Sequence, residues 1–130
     1  MTGLVVAGLA AAAGLVWLRR AFLVVTVTGR SMSPTFEPGD RVLLRRGRAR
    51  TGDVVVVGPG NLVIKRLAAV AGDPVPRHEV PALALVVEST VPPGKMVLLG
   101  DALESSDSRQ LGYFDADRIV GRAVRRLPRR

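Results

Sequence analysis

A serine and a lysine in this chain have the types and settings that hydrolytic chemistry needs. Ser31 lies in the segment Gly-Arg-Ser-Met-Ser-Pro-Thr-Phe, residues 29–36, a proline-containing turn that follows an apolar run. Lys65 follows thirty-four positions later, between apolar residues. A lysine accepts a serine proton only as the neutral amine, and desolvation lowers its pKa toward that form. The pair therefore predicts a Ser–Lys hydrolase with Ser31 as nucleophile and Lys65 as general base.

Composition narrows the other catalytic possibilities. The chain has seventeen arginines but only two lysines, and arginine cannot lose its proton, so the lysine at position 65 is informative. There is no cysteine, which excludes a cysteine nucleophile and a thiolate metal site. The one histidine, His78, stands among prolines in a predicted loop, where we expect no catalytic role. No metal ion or cofactor is predicted.

Three segments in order resemble the conserved motifs of type I signal peptidases. The serine segment Gly29-x-Ser31-Met32-x-Pro34-Thr35 resembles their serine motif, and Ile64-Lys65-Arg66 with Gly72-Asp73 their lysine motif. The third resemblance comprises Gly100-Asp101, the run Ser105-Ser106-Asp107-Ser108-Arg109, and Gly112. The similarity extends from about residue 24 to residue 124. It implies a serine endopeptidase that removes signal or leader peptides from exported precursor proteins.

The resemblance also implies roles for individual residues. The family's catalytic serine directly precedes a methionine, which selects Ser31 rather than Ser33. Ser105 corresponds to a serine whose hydroxyl holds the lysine amine in place. Because this chain is shorter between Gly100 and Asp107, Ser106 remains an alternative.

Other motif residues are expected to support the site. Asp107 and Arg109 match the family's Asp-Ser-Arg and are expected to form a buried structural ion pair. Asp101 is expected to shape a turn with Gly100. At the position of Gly29, many bacterial enzymes carry a serine or threonine that donates to the oxyanion. Mitochondrial inner-membrane peptidases and some specialised peptidases resemble this chain in having glycine there. A second donor beside the Ser31 N–H is therefore required, and a main-chain amide, a water or the Thr28 hydroxyl could supply it.

Substrate binding is predicted from strand chemistry. An extended peptide can pair with the exposed edges of residues 26–30 and 62–64 and place alternate side chains in pockets. Small side chains such as alanine are expected to fit. The candidate substrate-binding residues are Thr28, Met32, Val63 and Ile64.

The first twenty residues are predicted to form a membrane anchor. Residues 3–18 carry no charge and would form a helix about 24 Å long. Trp17 near the end of this stretch and Arg19 and Arg20 after it stand where interfacial anchors belong. A cleavable signal peptide is the alternative, since Ala11 begins a run of small residues, but the charges follow the apolar stretch instead of preceding it. The two arginines favour a cytoplasmic catalytic domain, whereas the resemblance implies an extracytoplasmic one at the plasma membrane, which we adopt.

Residues 21–130 are predicted to form one catalytic domain, mostly β, as a compact barrel or pair of packed sheets. Its expected strands lie at residues 24–28, 41–44, 53–57, 61–67, 83–87, 96–99 and 119–124. Residues 53–57 and 61–67 flank Gly-Pro-Gly and are expected to form a hairpin. The short interval between Lys65 and Asp101 leaves no room for the extra subdomain of larger family members.

The formal charge of +8 permits three interpretations. Nucleic-acid binding would use arginines at 45–50 and in the tail at 125–130, but aromatic residues are few and no nucleic-acid motif is present, so none is predicted. Anionic lipid headgroups suit a membrane-attached domain better. Arginines that merely decorate solvated turns are equally compatible with the pattern.

Three functional hypotheses follow. The first is a membrane-anchored peptidase that acts on signal peptides generally or on one dedicated propeptide. The second is a self-cleaving repressor of the LexA type, which shares the Ser–Lys dyad but carries a DNA-binding helical domain where this chain has an apolar segment. The third is a non-catalytic membrane-tethered module, against which the joint presence of Ser31, Lys65 and Ser105 argues.

Overall fold

The computed structural model describes residues 1–128, and Arg129 and Arg130 of the basic tail lie outside the described residues. Helix α1 (Thr2–Ala21) runs directly into a mostly β domain. Its strands are β1 (Phe22–Thr26), β2 (Arg41–Arg45), β3 (Val54–Val57), β4 (Val63–Val70), β5 (Lys95–Leu99), β6 (Phe114–Asp115) and β7 (Ile119–Leu127). A short helix, α2 (Ser108–Leu111), and two 3₁₀ turns, Pro81–Leu83 and Ala116–Arg118, complete the described elements. The predicted β class is confirmed.

One antiparallel sheet contains all seven described strands, in the order β1-β2-β7-β3-β4-β5-β6. Strand β3 is near its centre, and its four valines are all buried. Val54 and Val56 pack into one apolar cluster, while Val55 and Val57 pack into another. A strand that is covered on both faces reads as a continuous apolar run rather than an alternation.

The predicted hairpin is confirmed as β3 paired with β4, in a register that places Val55 opposite Lys65. Strand β4 continues to Val70 and passes from β3 to β5, so it lies inside the sheet rather than at an edge. Both edges of β4 are therefore paired. Four of its eight residues are buried, and one of them is Lys65.

The predicted strand at residues 83–87 is wrong. Pro81 begins a 3₁₀ turn there, and Leu83 is buried whereas Leu85 and Val87 are almost fully exposed. The Arg77 guanidinium donates to the carbonyls of Leu83, Val86 and Glu88, which therefore have no need of a neighbouring strand. An apolar run led to the strand prediction, but the side chain of Arg77, from outside the segment, supplies the hydrogen bonds to its carbonyl groups.

Helix α1 is 20 residues long, and none of its residues is buried. By length and composition it can cross a membrane, and a signal sequence near an N-terminus has the same properties. It meets the domain at its C-terminal end, where the Trp17 ring lies edge-to-face against Phe22 with centroids 6.3 Å apart.

Candidate active site

The segment that carries Ser31 is a turn fixed by its apolar residues. Met32 is 1% exposed and packs in the same cluster as Phe36, and the Phe36 N–H donates to the Met32 carbonyl at 2.9 Å. Ser33 Oγ donates to Glu37 Oε2 at 2.9 Å, which stabilises the turn from outside. Met32 was predicted to wall the substrate cleft, and that expectation needs correction, because burial places it in the core beneath the turn instead.

Ser31 is partly buried and reaches toward β4. Its Oγ donates to the carbonyl of Ile64 at 3.4 Å, and its own carbonyl accepts from the Ala102 N–H at 2.9 Å. Within residues 1–128 the Ser31 hydroxyl has no hydrogen bond to Lys65, whose backbone follows Ile64 directly. Catalytic hydrogen bonds are often long or poorly aligned before substrate binds.

Lys65 is buried, with 8% of the residue exposed, although β4 begins at the exposed Val63 two positions earlier. Its Nζ hydrogen-bonds Ser105 Oγ at 2.8 Å. Burial lowers the pKa of the Lys65 amine, the negative charge of Asp107 opposes that shift, and the charge of Arg109 adds to it. The lysine therefore loses its proton more easily than a solvated one.

Of the two candidate partners for the lysine, the structure brings Ser105 to it. Ser105 is 4% exposed, whereas Ser106 is exposed to solvent. The choice depends on the path of residues 100–109, which no local pattern reveals.

The backbone at Gly100 lies close to both Ser31 and Ser105. A Cβ atom placed on Gly100 would lie 2.2 Å from Ser105 Oγ and 2.6 Å from the Ser31 carbonyl oxygen. Real Cβ atoms essentially never approach other atoms so closely. The motif glycine is thus required by packing, a role that the sequence prediction missed.

Asp107 and Arg109 hold the loop at residues 100–109 mainly through main-chain groups. The fully buried Asp107 carboxylate accepts from the Gly100 N–H at 2.7 Å and from the Arg109 N–H at 3.0 Å, capping α2. The Arg109 guanidinium donates to the carbonyls of Gly100, Ala102 and Leu103. The two side chains approach each other only to 3.8 Å. Their predicted ion pair is therefore the weaker part of their contribution.

Asp101 connects the serine turn to the strand of the lysine. Its two carboxylate oxygens accept from Arg66 Nε and Nη2 at 2.8 and 2.7 Å. Thr35 Oγ1 donates to the same carboxylate at 2.5 Å. These bonds, those from Arg66 above all, lower the pKa of Asp101 and keep it ionised. Asp101 was expected only to shape a turn, and its long-range contacts extend that interpretation.

A small cleft of about 30 Å³ is lined in part by Ile64, whose carbonyl accepts from Ser31 Oγ. Two extended segments face each other across it, residues 25–28 and residues 62–64, with Val56 at its base. Thr28, Val63 and Ile64 line the cleft as predicted candidates, and Leu62 joins them. Its walls are mostly aliphatic, so it suits a small apolar side chain.

Two further residues considered in the sequence analysis, Gly29 and His78, are exposed to solvent. Gly29 is exposed with a φ of 77°, a left-handed conformation that favours glycine, and nothing surrounds its Cβ position. His78 is exposed in a turn. Among residues 1–128, no group of three or more potential metal ligands comes together.

Comparison with known proteins identifies one family. The family model described as "Signal peptidase, peptidase S26" matches residues 2–81 and 77–127. Signal peptidase IB from Staphylococcus aureus strains Mu50, N315 and MW2 is 29% identical over an alignment of 139 positions. That alignment covers 75% of this chain and 73% of each relative.

Proposed function

The chain belongs to the signal peptidase family, peptidase S26, and from that premise we propose that it cleaves signal or leader peptides with a Ser31–Lys65 dyad. The observation that carries this proposal is the buried Lys65 amine, held by Ser105 beside the serine turn. The family accounts for a serine endopeptidase that acts on signal peptides. The assignment of its residues is our inference from the geometry.

In the proposed reaction the neutral Lys65 amine takes the proton of Ser31 Oγ as that oxygen attacks the scissile carbonyl carbon. The resulting oxyanion collapses, the C–N bond breaks, and the lysine ammonium gives its proton to the leaving amine. Water then attacks the acyl-enzyme with Lys65 again as the base, which releases the carboxylic acid and restores Ser31. Ser105 is a positioning residue that keeps the flexible amine directed at the serine.

The oxyanion is proposed to bind at the Ser31 N–H. Within the described residues this N–H donates to no protein acceptor, so it is available to a substrate oxygen. A second donor is needed, because one such donor is worth about 2.7–4 kcal/mol of transition-state stabilisation. Thr28, exposed at the cleft, is a candidate, and a water or another main-chain amide remains an alternative.

The substrate is proposed to bind as an extended strand between residues 25–28 and 62–64. Main-chain pairing would supply affinity, and the small aliphatic cleft would select alanine-sized side chains before the scissile bond. The same cleft suits a general signal peptidase or one dedicated to a single propeptide. A panel of precursors that share an Ala-x-Ala end but differ upstream distinguishes the two.

We also propose that residues 1–20 anchor a catalytic domain of residues 21–130 in the plasma membrane, with that domain outside the cytoplasm. Helix α1 supports this by its length, its composition and its complete lack of buried residues. Precursor proteins and the bilayer are then the partners, and no nucleic acid is required.

The dyad is tested with purified full-length variants and an Ala-x-Ala peptide whose cleavage is followed by mass spectrometry. Ser31→Ala and Lys65→Ala are expected to lower kcat/KM by about 10⁴-fold or more. Ser33→Ala is the matched control, because its hydroxyl is bonded to Glu37, and it should retain most activity. Full activity in Ser31→Ala, with unchanged circular dichroism, would refute the mechanism. If Ser33→Ala were inactive and Ser31→Ala active, Ser33 would be the nucleophile instead.

A further inference from the structure

Six arginines gather where helix α1 enters the domain. We call this set the basic collar: Arg19, Arg20, Arg45, Arg46, Arg48 and Arg122. Arg19 and Arg20 form the last turn of the helix. The Arg46 N–H donates to the carbonyl of Ala21, the last helical residue, at 2.8 Å. The second chain segment of the collar is therefore bonded directly to the end of the helix.

Strand pairing brings the rest of the collar to the same place. Arg45 lies opposite Phe22 on one side and opposite Arg122 on the other. Directly opposed like charges destabilise a sheet, so this pairing has a cost within the protein. Arg48 and Arg122 then line a cavity of about 580 Å³ together with Arg50. The collar arginines thus lie on neighbouring chain segments around the end of the helix.

The collar lacks internal counter-charges. In residues 1–128, none of its six guanidinium groups takes part in a salt bridge, although Arg66, Lys95, Arg109 and Arg126 all do. Two carboxylates lie close to these arginines: Asp53 lines the same cavity as Arg48 and Arg122 and accepts the main-chain N–H of Arg50, and Asp117 lines a neighbouring cavity with Arg48. They leave a surface of strongly positive net charge.

We propose that the basic collar binds the anionic headgroups of membrane phospholipids and so holds the catalytic domain against the bilayer. This inference rests on the anchoring part of the proposed function. If α1 enters the bilayer, the surface around its C-terminal end lies at headgroup depth, where arginines are attracted to anionic lipids. Arginine also binds phosphate oxygens with a planar pair of donors. The lipid then supplies the counter-charges that the domain lacks.

The test uses the absence of cysteine from the chain. Full-length Ala49→Cys, a probe between Arg48 and Arg50, and Ser89→Cys, an exposed probe outside the collar, are placed in nanodiscs. One set contains only phosphatidylcholine and the other about 30% phosphatidylglycerol. The rate of reaction with a water-soluble maleimide is then measured for each probe.

We expect anionic lipid to slow labelling of Ala49→Cys at least about fivefold and to leave Ser89→Cys unchanged. About 0.5 M salt should restore the rate, because it screens charges beyond a few ångströms. Adding Arg45→Gln, Arg48→Gln and Arg122→Gln together should abolish the protection. Lys95→Gln removes a positive charge that is paired with Asp115 and is not part of the collar, and it should preserve the protection.

Equal labelling rates of Ala49→Cys in both lipids would overturn the inference. Protection by added DNA in phosphatidylcholine discs, without protection by phosphatidylglycerol, would assign the collar to nucleic acid and overturn it as well. A chain that enters neither disc would refute the anchor on which the collar depends. Labelling needs no substrate, so each of these outcomes is separate from failure of the proposed peptidase activity.

Discussion

The buried environment of Lys65 favours its neutral amine over the ammonium ion. Its amine is buried, its one side-chain partner is a neutral hydroxyl, and the nearest carboxylate, Asp107, is occupied by main-chain N–H groups. Burial outweighs the opposing negative charge of Asp107, no oxygen of which accepts directly from Nζ in the described structure. At the residue scale, burial makes the Lys65 amine easier to deprotonate than a solvated one, and Ser105 fixes its direction.

Ser105→Ala should lower kcat/KM by about 10- to 100-fold. A hydrogen bond to an ionisable partner contributes about 1.5–3 kcal/mol, and its loss frees the lysine amine to point elsewhere. Ser106→Ala is the matched control and should keep wild-type activity, since that side chain is exposed. The loss should appear in kcat with KM nearly unchanged. A rise in KM alone would indicate a role in substrate binding rather than in positioning the base.

The pH dependence of both activity and stability should report Lys65. Burial lowers the pKa of its amine below the ordinary 10.5, so kcat/KM should rise with pH along a limb whose midpoint lies below 10.5. Between the folded and unfolded pKa values the unfolded chain binds more protons, so the free energy of unfolding increases with pH across that window.

Lys65→Met removes this contribution, which gives a check independent of catalysis. The variant should be more stable than wild type below the folded pKa, where the wild type bears the full cost of a buried charge. The difference should shrink as pH approaches 10.5. Urea titrations at several pH values measure it, and a constant difference would show that Lys65 is not the group responsible.

Three separate elements build the site: the serine turn, strand β4 and the loop at residues 100–109. Gly100 lies where they meet, and Asp101 beside it bonds to Thr35 of the turn and Arg66 of the strand. Neither residue is proposed to touch substrate. At the element scale, the loop acts as a brace that sets the distance between nucleophile and base.

Gly100→Ala should therefore reduce cleavage by at least about 100-fold, since an ångström of displacement can cost that much. Gly121→Ala is the matched control, because its added Cβ would also meet backbone, the Arg45 carbonyl oxygen at 2.9 Å, but away from Ser31. Both variants should unfold at lower urea concentrations. Only Gly100→Ala should lose activity per folded molecule, and equal specific activities would show that the brace is dispensable.

At the scale of the whole molecule, an unburied apolar helix and a positively charged domain surface meet at one end. The almost fully exposed Val87 belongs to a separate loop that Arg77 holds in shape. This arrangement permits an experiment on topology, because the helix and the loop can be probed independently.

The full-length protein, expressed in bacteria, should retain its N-terminus and stay in the membrane pellet through high-salt and alkaline washes. Salt releases surface-bound proteins by screening, but it does not extract a helix from hydrocarbon. Val87→Cys should then react with a membrane-impermeant maleimide in intact spheroplasts. Labelling that requires disrupted membranes would place the domain in the cytoplasm, as Arg19 and Arg20 alone suggest, and would remove the secretory role.

The sequence by itself determined the class of the fold, most strand positions and the β3–β4 hairpin. These features depend on alternation, β-branched runs and turn residues, which act over a few neighbouring positions. It also supplied the candidate pair Ser31 and Lys65, since the motifs are short and their order along the chain is visible. The missed strand β6, two residues long, and the short helix α2 lie below the length at which such patterns can be recognised.

Only the tertiary structure decided which side chains meet. The choice of Ser105 over Ser106, the burial of Met32 beneath the turn and the clamp from Thr35 to Asp101, across 66 positions, depend on contacts distant in sequence. The error at residues 83–87 has the same origin, because Arg77 satisfies that backbone from outside the segment. Local periodicity specifies which backbone conformation a segment prefers, whereas the packing of the whole chain determines what its polar groups bind.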